Sequence, residues 1–131
     1  MTARAAATAY PPPEWLTDLA ARIAEGQIEP ESFSRFLPPP EGGRRTSAVL
    51  MLFAPGLTDP EATTVVITER AHTMRSHAGQ PAFPGGGRED HDLDASMTAL
   101  REAWEEIGLD PDGVEVLTEL PPCTSRSAAT T

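Results

Sequence analysis

The stretch from Ala82 to Leu109, AFPGGGREDHDLDASMTALREAWEEIGL, constrains the fold more than any other part of this chain. Three consecutive glycines precede a helical pattern, and three glutamates stand within five residues of one another in that helix. A turn needs only one glycine, so a run of three indicates a close approach of the backbone to another group. The stretch is therefore either a surface helix with a flexible lead-in or a metal site.

Residues 94–108, DASMTALREAWEEIG, form the clearest helical pattern of the sequence. Its large apolar residues recur at helical spacing and are Met97, Leu100, Trp104 and Ile107. Gly108 stands where a C-terminal cap belongs. We therefore expect a helix that ends at Gly108 and packs through a core stripe formed by Leu100, Trp104 and Ile107.

The three glutamates of this helix, Glu102, Glu105 and Glu106, occupy positions i, i+3 and i+4, so their side chains share one face. Like charges at this spacing repel by a few tenths of a kcal/mol per pair, and only Arg101 stands beside them. A divalent cation such as Mg²⁺ would remove the conflict, because it prefers carboxylate oxygens, water and phosphates. A solvated acidic face is the alternative reading.

The glycines themselves, Gly85 to Gly87, follow a Phe-Pro dipeptide. Glycine permits close backbone approach and unusual dihedral angles, and such a loop can expose amides or a carbonyl to a phosphate or a metal. We therefore expect these glycines to form a loop at the site, with an ordinary loop as the alternative.

Composition limits the class of protein. The 131 residues suffice for one domain, and 39% apolar with 23% charged residues favours a folded core. A net charge of −10 argues against a general nucleic-acid binder. No apolar run approaches the ~20 residues that span a bilayer. The single cysteine, Cys123, excludes an internal disulfide and a cysteine metal cluster, so a cytoplasmic setting is expected.

The rest of the chain reads as a mixed α/β domain. Residues 1–12 read as a disordered arm, and residues 12–26 as a helix with Pro13 in its first turn, Gly26 at its end and an apolar face of Leu16, Leu19, Ala20 and Ile23. Segment 30–43 reads as a short turn or helix and a linker. Three strands are expected, of which the first two form an antiparallel pair: 46–55, 62–70 and 113–120.

The helix and its lead-in resemble the Nudix box, Gly-x5-Glu-x7-Arg-Glu-φ-x-Glu-Glu-x-Gly-φ, where φ is apolar. Residues 101–109, REAWEEIGL, match its second half in full. The first half departs twice, because Asp92 replaces the glutamate and the spacer to Arg101 is one residue longer. Counting back strictly from Arg101 puts the glycine at Gly87 and a leucine at the acidic position, which leaves the role of Asp92 open.

Residues 67–86, ITERAHTMRSHAGQPAFPGG, are similar to the extra motif of the coenzyme A pyrophosphatase branch of that family. That motif reads Leu-Thr-x-Arg-Ser/Ala-x3-Arg-x-His-x-Gly-x2-Ser/Ala-Phe-Pro-Gly-Gly. The matching positions are Thr68, Arg70, Ala71, Arg75, His77, Gly79, Ala82, Phe83, Pro84, Gly85 and Gly86. With the box, the resemblance covers residues 66–109, about a third of the chain.

The resemblance implies a Nudix α/β/α sandwich with a mixed sheet whose C-terminal part is missing. It implies an N-terminal arm, helix and linker at 1–44 and a partial Nudix domain at 45–131, with the box at about 86–109. It also implies hydrolysis of coenzyme A or an acyl derivative to 3′,5′-ADP and 4′-phosphopantetheine. ADP-ribose or another nucleoside diphosphate derivative as substrate, and an inactive Nudix-like module, are the alternatives.

The same resemblance assigns site residues. Glu102, Glu105 and Glu106 would hold Mg²⁺ or Mn²⁺, one of them would accept the proton, and Arg101 would orient them. A carbonyl near Gly86 or Gly87 would complete the metal shell. The residues expected on the substrate side are Arg70, Arg75, His77, Gly79, Phe83, Gly85, Gly86 and Gly87. The expected partner is a small molecule rather than nucleic acid or membrane, and a homodimer is left open.

The last nine residues, CTSRSAATT at 123–131, depart from the branch, which continues Leu-Tyr-Ile-Pro-x-Ser-Gly. Synonymous codons exist for them that, with one base added in front, read Leu-Tyr-Ile-Pro-Phe-Ser-Gly-His-Asp. We therefore expect a single-base loss near codon 123, which would leave Cys123 without a function. A domain shortened in this way is expected to have unpaired sheet edges, low stability and poor activity. Resequencing the gene tests this expectation.

Overall fold

The computed structural model describes residues 10–27, 46–69 and 79–122. The elements within these ranges are α1 (Glu14–Ala24), β1 (Ser47–Val49), β2 (Phe53–Pro55), β3 (Thr63–Val65), β4 (Thr68–Glu69), β5 (Pro81–Ala82), β6 (Gly85–Gly87), α2 (Ala95–Ile107) and a 3-10 turn (Pro111–Gly113). They fall into two compact units, one holding residues 47–115 and the other α1 with residues 116–122. The predicted mixture of helices and strands is confirmed.

The first helix, α1, follows the expected boundaries. Pro13 precedes it with extended backbone, and its carbonyl accepts the N–H groups of Leu16 at 3.0 Å and Thr17 at 3.2 Å. Gly26, with φ of 71°, lies just beyond its end. Of the apolar face that the sequence predicts, Leu16 and Ala20 are buried, whereas Leu19 is 42% exposed.

Strands β2 and β3 form the antiparallel pair that the sequence predicts, with Phe53 opposite Val65 and Pro55 opposite Thr63. Its connection is closed by Gly56, whose N–H donates to the Ala62 carbonyl at 2.8 Å. A second antiparallel ladder joins β4 to β5, with Thr68 opposite Ala82. Both ladders are short, and each has two strands among the described residues.

The three glycines form strand β6 rather than a loop. They pair antiparallel with β1, with Ser47 opposite Gly87 and Val49 opposite Gly85. None of the three has a positive φ, although glycine would permit one. The expectation of close approach holds, because a Cβ on Gly85 would collide with the carbonyl oxygen of Ala48 and lie 2.7 Å from Cα of Val49.

The second helix, α2, starts and stops as predicted. Asp94 caps its N-terminus by accepting the N–H of Met97 at 2.7 Å. At the other end Gly108 adopts the left-handed conformation with φ of 69°, and its N–H donates to the Trp104 carbonyl at 2.9 Å. A residue with a Cβ enters that conformation at a cost, which explains why glycine ends the helix there.

The side of α2 that is buried is not the predicted stripe. Helix α2 packs on β1 and β6, and its buried residues are Thr98, Ala99 and Ala103. Trp104 is 57% exposed and Ile107 41%, so their assignment to the core stripe is wrong, whereas Leu100 is half-buried. Met97, at the same helical spacing, is 39% exposed. Small side chains let the helix approach the glycine strand closely, and an indole would hold the two apart.

The predicted strand at 113–120 is also wrong. The chain forms a 3-10 turn at Pro111–Gly113, in which the Asp110 side chain accepts the N–H of Asp112 at 2.9 Å. No ladder forms over residues 114–122, and Val116 and Leu120 remain 48% and 49% exposed. Alternating apolar residues favour a strand only where a neighbouring backbone supplies hydrogen bonds.

Three predictions fall wholly or largely on residues outside the described ranges: the N-terminal arm at 1–12, of which 10–12 are described, the turn and linker at 30–43, and the shifted frame at 123–131. They stay predictions. Across 10–27, 46–69 and 79–122, neither helix has the length and apolar character needed to cross a membrane.

Candidate functional site

Arg101 lies at the centre of the candidate site, with a side chain only 14% exposed. Its Nη2 donates to the Gly87 carbonyl at 2.8 Å and to Oδ2 of Asp92 at 3.0 Å. Its Nε donates to the same carboxylate, 3.2 Å from Oδ1. One guanidinium therefore ties α2 both to β6 and to the loop between them.

The remaining nitrogen of that guanidinium, Nη1, lies close to three carboxylates. Oε1 of Glu102 lies 3.1 Å away, and both carboxylate oxygens of Glu105 lie 3.3 Å away. Oε1 of Glu89 lies 3.5 Å from the same nitrogen. The hydrogen bonds to Asp92, followed by those to Glu102 and Glu105, raise the pKa of the Arg101 guanidinium above its ordinary value.

Asp92 is a buried carboxylate, with only 1% of the residue exposed. Besides Arg101, its Oδ2 accepts the backbone N–H of Glu89 at 2.9 Å and the hydroxyl of Thr98 at 2.9 Å. The hydrogen bonds from Arg101 first, and then those from Glu89 and Thr98, outweigh burial and hold the pKa of Asp92 well below its usual range. The side chain is therefore ionised at neutral pH and anchors Arg101.

Glu102 is held against the glycine strand, with its side chain 18% exposed. A Cβ placed on Gly86 would lie 2.5 Å from Cδ of Glu102 and 2.7 Å from each of its carboxylate oxygens. Gly86 therefore has no side chain because the Glu102 carboxylate occupies that space. The carbonyl of the next residue, Gly87, which was expected to approach a metal, is engaged by Arg101.

The other two glutamates are open to solvent. The Glu105 side chain is 52% exposed and reaches Nη1 of Arg101, whereas the exposed Glu106 side chain has no hydrogen bond or ion pair to another described residue. Among the described residues, no three His, Cys, Asp or Glu side chains are grouped so as to hold a metal ion. The structure thus brings Glu102 and Glu105 together, and the three-carboxylate metal site stays a prediction.

The substrate-side residues are only partly described. Arg70, Arg75 and His77 lie outside the described residues. Gly79 has φ of 71°, and Phe83, 36% exposed, lies in the short connection between β5 and β6. The ladder between β4 and β5 pairs Glu69 with Pro81, the described residues on either side of segment 70–80, and β5 is followed closely by the glycine strand.

Sequence reasoning missed Thr98 and left Asp92 without a role. Thr98 is 1% exposed and stands one helical turn before Arg101 and Glu102. A polar residue at i−3 and i−4 from two candidate site residues shares their helix face. This spacing could have identified Thr98 as a site residue, but the helical spacing of the larger apolar residues was given more weight.

Comparison with known proteins finds a matching family model and several similar proteins. The family model described as NUDIX domain matches residues 44–128. The chain is 45% identical over 82 residues to the Nudix hydrolase NudL of Cronobacter sakazakii, covering 63% of this chain and 41% of that protein. It is 43% identical over 98 residues to NudL of Pectobacterium atrosepticum, covering 72% of this chain and 49% of that protein.

A solved structure of a Nudix hydrolase from M. smegmatis, RenU, aligns with a TM-score of 0.45 and 30% identity over 59% of this chain and 50% of that one. The chain thus spans about half the length, or less, of the relatives that it matches.

Proposed function

Because this chain belongs to the Nudix family, we propose that it carries the metal-binding and catalytic helix of a divalent-metal-dependent pyrophosphohydrolase. The proposed metal ligands are Glu102, Glu105 and Glu106, with Mg²⁺ or Mn²⁺ as the ion. The proposed substrate is coenzyme A or an acyl derivative, cleaved at its pyrophosphate.

The observation that carries the proposal is the convergence of two carboxylates on one positive group. Glu102 and Glu105 both lie within 3.3 Å of Nη1 of Arg101. Carboxylates so arranged offer the oxygen ligands that Mg²⁺ and Mn²⁺ prefer, so the residues fit such an ion. When bound, the ion would neutralise phosphate charge and lower the pKa of a bound water.

The chain's own residues prepare the site in two ways. Arg101 holds Glu102 and Glu105 in place, which preorganises charges that would otherwise repel one another. The absent side chain of Gly86 leaves room for the Glu102 carboxylate against β6. Glu106, exposed one turn beyond Glu102, is placed to join the same face as a further ligand or as the proton acceptor.

The proposal of coenzyme A rests on the upstream motif. Arg70, Arg75 and His77 belong to segment 70–80, and the residues that flank this segment, Glu69 and Pro81, are paired in the β4–β5 ladder. Arginine suits phosphate groups because its planar fork binds two oxygens at once. β5 leads through Phe83 directly into the glycine strand, which supports a substrate that reaches from that segment to the glutamates.

The test is hydrolysis by the purified chain, with products separated by anion-exchange chromatography. We expect turnover that is slow, as a shortened domain implies, that requires Mg²⁺ or Mn²⁺ and stops with EDTA, and that is faster with coenzyme A than with ADP-ribose. Glu102→Gln should lower the rate by about 100-fold or more, because loss of a metal ligand costs more than the roughly 10- to 100-fold that loss of a ligand's hydrogen-bond partner costs. Glu61→Gln, at an exposed position in the β2–β3 connection, is the matched control and should behave as wild type.

Faster turnover of ADP-ribose would contradict the substrate while keeping the reaction. Turnover unaffected by EDTA, or an unchanged rate in Glu102→Gln, would contradict the assignment of the site.

A further inference from the structure

We propose that Thr98 is a positioning residue of the site, whose hydroxyl holds the carboxylate of Asp92 in the orientation that Arg101 requires. Thr98 occupies a variable position of the box pattern and no role is implied for it there. The proposal rests on the proposed function, because the groups that Thr98 ultimately positions are the metal-binding glutamates.

The contact is buried and short. Thr98 and Asp92 are each 1% exposed, and Oγ1 of Thr98 donates to Oδ2 of Asp92 at 2.9 Å. The same oxygen accepts from the Glu89 amide at 2.9 Å and from Arg101 at 3.0 Å. Three donors from three separate positions fix the rotation of the carboxylate, and loss of one leaves that rotation less restrained.

The Thr98 hydroxyl has two possible acceptors, the carboxylate of Asp92 and the backbone carbonyl of Asp94. Threonine in a helix often donates to the carbonyl four residues earlier, and Oγ1 of Thr98 does lie 3.3 Å from the Asp94 carbonyl. That carbonyl already accepts the N–H of Thr98 at 3.2 Å. Because an ionised acceptor forms the stronger hydrogen bond, the single hydroxyl proton is directed to Asp92.

The effect reaches the glutamates through the rigidity of arginine. Nε and Nη2 of Arg101 bind Asp92, and Nη1 binds Glu102 and Glu105. Since the guanidinium is a planar unit, a rotation of the Asp92 carboxylate tilts the nitrogen on which the two glutamates converge. Thr98 therefore sets the spacing of side chains that it does not touch.

The decisive variant is Thr98→Val, which keeps the shape and removes the hydroxyl. Thr98→Ser restores the donor and should restore the wild-type behaviour. Thr64→Val is the matched control, because it removes a hydroxyl that donates to the Ala54 carbonyl at 3.0 Å in the β2–β3 ladder. Should Thr98→Val not fold, Thr98→Ala takes its place, since it removes the hydroxyl without filling its space.

The first measurement needs neither metal nor substrate. The NMR signal of the Arg101 Nε–H group, identified by its loss in Arg101→Lys, reports the bond to Asp92. In Thr98→Val we expect this signal to shift and its exchange with water to accelerate by about tenfold or more, as a weakened hydrogen bond requires. Thr98→Ser and Thr64→Val should leave both quantities unchanged.

The second measurement is the affinity for Mn²⁺, obtained by calorimetry, together with the separate kcat and KM of coenzyme A hydrolysis. We expect Thr98→Val to weaken Mn²⁺ binding by roughly 10- to 100-fold, the range for residues that orient ligands without touching the metal. At saturating Mn²⁺, kcat should fall more than KM rises. Thermal unfolding of each variant separates these effects from loss of fold.

Two results would overturn the proposal: an unchanged Arg101 signal in Thr98→Val, or a lower unfolding temperature with unchanged Mn²⁺ affinity, which would make Thr98 a packing residue only. Failure of the proposed function looks different. Wild-type chain that neither binds Mn²⁺ nor hydrolyses coenzyme A would contradict that function, while the Arg101 signal would still decide whether Thr98 orients Asp92.

Discussion

Large apolar side chains are usually the buried ones in a helix, but on α2 the small side chains are buried and most of the large apolar ones are exposed. The side that faces β1 and β6 carries Thr98, Ala99 and Ala103, all buried, with Ala103 at 0% exposure. The other side carries Met97, Trp104 and Ile107, which are 39%, 57% and 41% exposed. The most apolar side of the helix is therefore the less buried one.

This difference shows that the close approach of α2 to β6, rather than the burial of large apolar side chains, determines which side of the helix is packed. Strand β6 consists of glycines, and the carboxylate of Glu102 occupies the space where Gly86 would have a side chain. The threonine and the two alanines on this side are small enough to let α2 come close to that strand. Close approach in turn lets Arg101 reach the Gly87 carbonyl at 2.8 Å, so the packing and the site have one cause.

The largest effect is expected where the crowded side allows no adjustment. Gly85→Ala places a methyl group against backbone atoms of Ala48 and Val49, which cannot rotate away. We expect a loss of about 1–3 kcal/mol in the free energy of unfolding, the usual cost of overpacking, measured by urea denaturation. Gly87→Ala is the control, since a Cβ there meets no atom within 4 Å. Equal losses in both variants would break the comparison.

A smaller, pH-dependent effect is expected from the buried carboxylate on the same side. Because the pKa of Asp92 is lowered in the folded state, its ionised form stabilises the protein above about pH 4, and this contribution is lost as the pH falls further. The stability difference between wild type and Asp92→Asn should therefore be largest at about pH 7 and clearly smaller at about pH 2.5, because most of the loss falls between the unfolded and the folded pKa. Urea midpoints at both pH values measure it.

His91 needs a control in that experiment, because its Nε2 lies 3.6 Å from Oδ1 of Asp92. Introducing His91→Gln into both backgrounds removes the imidazole. The guanidinium of Arg101 then still faces the Asp92 carboxylate, and that of Arg88 donates to the Asp92 backbone carbonyl. A stability difference that did not change between the two pH values would show that the ionised form of Asp92 is not what the fold uses.

The smallest effect is expected on the exposed side. Trp104→Gln should change the free energy of unfolding by no more than about 0.5 kcal/mol, because most of the side chain already contacts water and glutamine favours a helix. Trp15 remains as the fluorescent reporter of unfolding. A loss well above 1 kcal/mol, the centre of the range for point substitutions, would show that this side of α2 is packed after all.

The sequence was sufficient for features that depend on neighbouring residues. Gly108 predicted the C-terminal end of α2, and Pro13 and Gly26 predicted the ends of α1, because caps act within one turn. The periodic spacing of Glu102 and Glu105 likewise placed both on one face. The antiparallel pairing of β2 with β3 followed from two apolar runs joined by a short connection.

The features it could not provide depend on partners far away in the chain. Gly85 is glycine because Val49 lies opposite it, and nothing near Gly85 in sequence reveals that pairing. The buried side of α2 follows from the same strand, so the pattern of large apolar residues pointed to the wrong side. The predicted strand at 113–120 failed for the complementary reason, since its alternation was correct but no ladder formed there.

The geometry around Arg101 also limits which substitutions this sequence can accept during evolution. The side chain meets acceptors in three directions at once: the Gly87 carbonyl, Asp92, and the two glutamates beyond. Lysine would keep the charge but gathers its three donors on one nitrogen, and it cannot span those directions. During evolution, the charged residues around this site should therefore vary more readily than Arg101 itself. Even Arg101→Lys, usually counted as a conservative substitution, should be removed by selection.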